Sequence, residues 1–435
     1  MIERLERYFE FGALGASWRT EILAGVTTFA TMAYIIFVNP AILGEAGMPP
    51  GAVAAATCIT AGLASILMGA VARYPIALAP GMGLNAYFAY AVVLKMKVPW
   101  QTALGAVFLS GLAFLLLTAA GLRQRLLTAL PASLTASVAA GIGLFIAFIG
   151  LRNAGIVSAD PATMVTLGNL SSPGPLAALA GLFAAAALSA RGFRAAILAG
   201  IGVTFAIGFA AGVFTWTPQP WDPHAIAATA FQLDIAGALR LGLAEIVFVF
   251  LFVDLFDNLG TTVAVTRHAG LMREDGTVQR AGRILTVDAV ATMAGAFAGT
   301  STVVSYIESS AGITAGGRSG VTAIVTGALF LAAVLLAPLA GTIPAAATAP
   351  ALIVVGAAML GHVAAIDWRD TPSAIPAFLT IVAIPFTFSI ANGLALGFTA
   401  HCAIQLLAGR GREVPWLLYG LCALFAARFF YLGAG

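Results

Sequence analysis

The chain predicts an all-helical polytopic membrane protein, and three observations predict it. Only 9% of its 435 residues are charged and 60% are hydrophobic, where a soluble domain carries roughly 25% charged residues. The apolar residues come in continuous runs of about 17–25, long enough to cross a bilayer as helices, whereas barrel strands would alternate in segments of about ten. The basic residues collect on one side of the spans that these runs define. Mean hydropathy is +0.99.

Residues 1–20 interleave charge with Leu, Tyr and Phe and read as an amphipathic segment on the cytoplasmic surface. Apolar runs bounded by Pro, Gly or charge then follow at about 21–44, 51–71, 75–94, 100–120, 131–150, 174–190 and 194–215. These make a first set of seven spans over 21–215. A polar connection, 216–240, separates them from a second set over 241–408. The second runs are about 241–265, 281–298, 300–317, 320–340, 347–365, 372–390 and 392–408. In the tail, 409–435, the apolar stretch 414–432 reads as an interfacial helix.

With the N-terminus inside, fourteen spans leave only Lys95, Lys97, Arg152 and Arg240 of the 21 basic residues outside. Both termini are then cytoplasmic. Arg123 and Arg125 are among the inner residues, and the six tryptophans (18, 100, 216, 221, 368 and 416) fall at span ends or in connections. Met272–Gly276 reads as an ordinary turn, and Gly316-Gly317-Arg318 as a helix end at the inner surface. The cysteines (58, 402, 422) and histidines (224, 268, 362, 401) are scattered without metal-ligand spacing. No nucleotide loop, zinc motif or nucleophile elbow appears, which argues against an ATP-driven pump and against an enzyme.

An odd number of spans per half makes the halves an inverted repeat, with a solute site at their interface. The third span of each half is a poor helix. In one, Pro80-Gly81 interrupts Pro75–Tyr87; in the other, hydroxyls, β-branched residues and glycines crowd Thr300–Gly317 around Glu308. Paired interrupted segments are the sequence pointer to a carrier site, because irregular backbone at membrane depth must be buried or line a cavity.

The acids inside spans are Glu245, Asp254, Asp257, Asp288 and Glu308, each costing about 2.5–3.5 kcal/mol at mid-span on insertion scales. Asp254, Asp257, Asn258 and Thr261 stand at offsets of three and four and read as one polar stripe. Asp257 and Glu308 are expected to face each other across a small cavity that Asn85 completes. That trio suits a flat, N–H-rich solute, and one carboxylate could carry a driving proton. Asp254, Asn258, Thr261, Ser305, Ser309 and Gly83 are secondary candidates for the substrate or proton path. Glu245 is expected to pair locally or reach the interface, Asp288 to be satisfied by Arg283 or a neighbouring hydroxyl, and Asn39-Pro40 to be a kink.

The stretches Ala79–Phe88, Asp254–Thr261 and Gly299–Gly312, with Ala24–Ile35 and Asn39-Pro40, resemble the azaguanine-type purine permeases. These are a branch of the nucleobase–ascorbate, or nucleobase–cation symporter-2, superfamily. The resemblance runs along nearly the whole chain. It implies proton-coupled import of adenine, guanine and hypoxanthine across the inner (plasma) membrane, with sodium open as the alternative ion and no cofactor. It implies a seven-plus-seven fold with a core domain (about 21–121 and 241–341) and a gate domain (about 131–215 and 347–408), and short strands in segments three and ten. The binding residues it implies are Asn85, Asp257 and Glu308. The expected partners are the purine and the bilayer, with no nucleic acid, and a homodimer is compatible. Rival readings are a same-fold carrier of uracil, xanthine or an anion, and a cation channel. An anion carrier would call for a mid-span Arg or Lys, and none is present.

Overall fold

The computed structural model describes residues 2–121, 131–217, 220, 222, 224–240, 244–273 and 277–431. Arg123, Arg125, Trp221 and residues 274–276 of the expected turn lie outside them. Among the described residues, ten helices are long and apolar enough to cross a membrane, and Ala196–Ala210 and Thr371–Thr387 are shorter apolar helices. Their limits follow the sequence reading closely. Ala281–Ala298 matches it at both ends, and Pro50, Trp100, Ala132, Pro173 and Ile390 begin helices within a residue or two of the expected starts. Proline sets several of these starts: Pro50 and Pro173 occupy the first turn, where a missing N–H costs nothing.

The helices pack through small residues. Gly62 and Gly327 meet where Pro50–Leu67 crosses Gly320–Ala332, and Gly143 and Gly356 meet where Ala132–Asn153 crosses Ala345–Leu360. Trp18–Met32 joins the first group, while Thr371–Thr387 and Ile390–Leu407 join the second.

Two short antiparallel pairs break the helical pattern. β1 (Leu78–Pro80) pairs with β4 (Val303–Ser305), in the register Leu78↔Ser305 and Pro80↔Val303. β2 (Val157–Asp160) and β3 (Met164–Leu167) form a hairpin after Ala132–Asn153. Asp160 closes that hairpin: Thr163 N–H, Thr163 hydroxyl and Ala162 N–H all donate to its Oδ1 and hold its carboxyl below the usual range.

Three local readings change. The first span is divided at Ala33–Tyr34 into Trp18–Met32 and Ile35–Glu45, and Pro40 lies inside the second helix. The expected kink therefore falls a turn or two earlier. The connection 216–240 is partly helical, with a 3₁₀ turn at Ala225–Ala228 and a helix at Ile235–Arg240. It is tied down by Phe231 N–H donating to Phe297 O at 2.7 Å and Asp234 N–H to Gln101 O at 2.9 Å. The tail helix Trp416–Tyr431 buries Leu418 and Phe425, and Phe425 sits edge-on to Phe248 and Phe398. The stretch read from sequence as interfacial therefore has a packed face.

Candidate functional site

The site is built where β1 and β4 meet. A three-residue strand cannot satisfy its own backbone, and at membrane depth every polar group needs a partner. Neighbouring hydroxyls supply them. Ser65 accepts from Leu78 N–H at 2.9 Å, Ser309 accepts from Ala77 N–H at 3.0 Å, and Thr292 donates to Val303 O at 3.0 Å. Gly81 N–H reaches Thr302 O and Tyr306 N–H reaches Ala77 O, extending the pair at both ends. Tyr306 hydroxyl donates to Pro80 O across it.

Each strand runs into a short helix. After β1 comes Met82–Ala86, continued by π-helical turns over Tyr87–Lys95; after β4 comes Ser309–Thr314. Asn85 lies on the first helix and Glu308 at the N-cap of the second. Gly316, at φ +106°, ends the second helix, and Gly317 N–H returns to Gly312 O at 3.0 Å, as the glycine pair suggested.

Glu308 is half-buried, and its Oε1 accepts the Tyr34 hydroxyl at 2.7 Å. Asp257 is also half-buried, on helix Ala244–His268. Asn85 is fully buried, donates through Nδ2 to Asn39 Oδ1 at 2.5 Å, and leaves its own Oδ1 without a partner. Leaving a buried acceptor unpaired costs about 1–3 kcal/mol, so an incoming donor is favoured there. Gly83 allows close approach: a Cβ would stand 2.5 Å from Ile142 Cγ2 on the facing helix Ala132–Asn153.

The stripe Asp254–Asp257–Asn258–Thr261 is split. Asp254 and Asn258 are fully buried and face Ala281–Ala298. Asn258 Nδ2 donates to Asp254 Oδ1 at 2.8 Å and to Asp288 Oδ2, while its Oδ1 accepts Ser305 N–H at 2.7 Å. Thr292 hydroxyl lies 3.2 Å from Asp254 Oδ2. Asp257 and Thr261 are half-buried and make none of these bonds among the described residues. The reason is helical geometry: Asp257 and Asn258 are consecutive, so their side chains diverge by about 100°. Asp288 is satisfied by Asn258 and, at 3.5 Å, by the Ser305 hydroxyl; Arg283 is not its partner. Ser305 and Ser309 thus bond the scaffold that holds Glu308.

Tyr34, Asn39, Asp288 and Thr292 escaped the sequence reading as parts of this constellation. An amide inside an apolar run was the available signal for Asn39. Away from the strands, Lys95 Nζ donates to Thr387 O at 2.8 Å, Asn153 reaches Tyr90 hydroxyl at 3.4 Å, and Arg152 lies over the Tyr90 ring. These contacts tie the Lys95 end of the third segment to helices of the second group. The arrangement as a whole offers carboxylate and amide acceptors inside a packed membrane body. Among the described residues, neither Asp257 nor Glu308 forms an ion pair.

Comparison with known proteins identifies the family. A model described as the permease family matches residues 19–396. The adenine permease AdeP of Escherichia coli is 44% identical over 430 residues, covering 99% of this chain and 97% of its own. The guanine/hypoxanthine permease PbuG of Bacillus subtilis is 42% identical over 443 residues, covering 98% and 100%. Among solved structures, the transmembrane domain of the cyanobacterial bicarbonate transporter BicA superposes with a TM-score of 0.65 at 18% identity, over 87% of this chain and 98% of that one. At that identity the likeness speaks for the fold.

Proposed function

The chain belongs to the permease family, in the purine branch its motifs resemble, and from that premise we propose that it imports the nucleobases adenine, guanine and hypoxanthine by proton symport. It is a transporter and not an enzyme. The observation that carries the reading is the pair of half-buried carboxylates, Asp257 and Glu308, beside the junction of β1 and β4, with the unpartnered Asn85 Oδ1 on the short helix after β1. All three are acceptors when the acids are ionised, and a neutral purine offers N–H donors. The relatives named as adenine and guanine/hypoxanthine permeases support the same substrate class.

The ten long helices, the two shorter ones and the two strand-broken segments fit fourteen segments in two inverted sets of seven. In this reading 21–121 and 241–341 form the core, and 131–215 and 347–408 form the gate. The core moves against the gate to expose the site alternately to each side of the inner membrane. The contacts of Lys95 and Tyr90 with Thr387, Arg152 and Asn153 would then close the outer face. One of Asp257 and Glu308 takes up the driving proton, and neutralising it lets the loaded site move through the membrane. Asp254, Asn258, Thr261, Ser305, Ser309 and Gly83 support the site or the proton path. Two acids at the site disfavour an anionic solute, although the fold is shared with a bicarbonate transporter.

The test is uptake of labelled adenine, guanine, hypoxanthine, xanthine and uracil by cells lacking their own carriers. Saturable purine uptake that a protonophore abolishes is expected. Absence of purine uptake from protein present in the membrane refutes the substrate. Loss of uptake on sodium removal alone refutes the proton.

A further inference from the structure

Asn39 and Asn85 are both fully buried, and their hydrogen bonds form a chain with only one possible polarity. The chain begins at Val53 O, which can only accept. Thr57 donates its single hydroxyl proton there at 2.6 Å, one turn along its own helix. With that proton committed, Thr57 Oγ1 can only accept from Asn39, so the Asn39 group facing it at 2.7 Å is the amide NH₂. The same Nδ2 lies 2.9 Å from Thr300 Oγ1, just before β4. Asn39 Oδ1 therefore faces Asn85, and Asn85 must present Nδ2 to it, at 2.5 Å. What is left over is Asn85 Oδ1, buried and without a partner. Amide orientations are ordinarily interchangeable, but here the backbone carbonyl of Val53 dictates both.

We propose that Asn39 is a positioning residue that locks the Asn85 amide with its oxygen free, so that Asn85 acts only as an acceptor for an N–H of the substrate. The proposal rests on the purine-carrier reading and deepens it. Thr57 is the polarity anchor, because its proton is already spent. Thr300 is not, since the structure commits its hydroxyl to accepting only through Asn39 itself. Without Thr57 Oγ1 both amides can turn over together. Asn85 would then also offer NH₂, facing the substrate's donors with a donor.

The experiment measures KM and kcat for labelled hypoxanthine and adenine in Thr57→Val, Thr57→Ser, Asn39→Leu and Asn85→Ala, and in the doubles of Asn85→Ala with the first and third, at matched membrane expression. Thr57→Val is expected to raise KM about fivefold or more with kcat little changed, the signature of lost binding. Thr57→Ser restores the hydroxyl and should bring KM back. In the Asn85→Ala background, Thr57→Val and Asn39→Leu should add less than about twofold, because coupled residues are not additive. A merely structural role predicts loss of expressed protein and effects that persist without Asn85. Unchanged KM in both Thr57→Val and Asn39→Leu, or additive effects in the doubles, overturns the proposal. If the parent protein takes up no purine, it is the purine reading that fails, before any variant is compared.

Discussion

Removing the Tyr34 hydroxyl is the smallest change that touches Glu308. Tyr34 is 1% exposed and donates to Glu308 Oε1 at 2.7 Å. Tyr34→Phe keeps the buried ring and deletes one oxygen. A hydrogen bond to a charged acceptor contributes about 1.5–3 kcal/mol, which at 1.4 kcal/mol per tenfold corresponds to roughly 10- to 150-fold in affinity. Glu308 is half-buried, so water replaces part of the lost bond and the lower end applies. We expect KM for purine uptake to rise about tenfold, because a Glu308 freed from Tyr34 must be ordered again by the substrate. Uptake at varied substrate concentration, normalised to protein in the membrane, measures this. An unchanged KM with normal expression would refute the view that Tyr34 holds Glu308 in its binding position.

Other consequences concern the frame. Glu21 is fully buried and accepts from Arg318 N–H, Ser319 N–H, Thr322 N–H and the Thr322 hydroxyl at the start of Gly320–Ala332. Glu21→Ala leaves those donors unpaired at about 1–3 kcal/mol each, and should melt well below Glu21→Gln in detergent; equal melting would contradict the capping role. Gly312 lies where a Cβ would stand 2.1 Å from Thr28 Oγ1 and 2.7 Å from Ala24 O. Gly312→Ala should cost about 1–3 kcal/mol in overpacking and depress uptake by displacing the helix that Glu308 begins; parent-like melting and uptake would show the helix has room.

How far the sequence reaches is clearest along helix Ala244–His268. Hydropathy located the span, and the cost of intramembrane charge singled out Asp254 and Asp257. Spacings of three and four then group Asp254, Asp257, Asn258 and Thr261 on one face. Offsets of three and four tolerate a face wide enough to hold two environments, and only the position of Ala281–Ala298 decides which residues it covers. It covers Asp254 and Asn258 and leaves Asp257 half-buried. The strands were legible only through the resemblance, since three residues carry no periodicity of their own. What identifies them physically is the set of distant hydroxyls, Ser65, Thr292 and Ser309, that satisfy their backbone. Tyr34 and Asn39 stayed hidden for a related reason. Their partners lie 274 and 46 residues away for the bonds to Glu308 and Asn85, and no local pattern announces such pairs. The hairpin Val157–Leu167 and the helical part of 216–240 were missed because polar connections were read by composition alone.

Purine uptake by Glu308→Gln and Asp257→Asn, beside the parent and at equal membrane expression, decides whether these two carboxylates form the substrate site. Each exchange preserves size and removes the carboxylate. Both are expected to abolish or cripple accumulation of adenine, guanine and hypoxanthine while the proteins remain folded in the membrane. Parent-like accumulation by both variants would place the substrate site elsewhere.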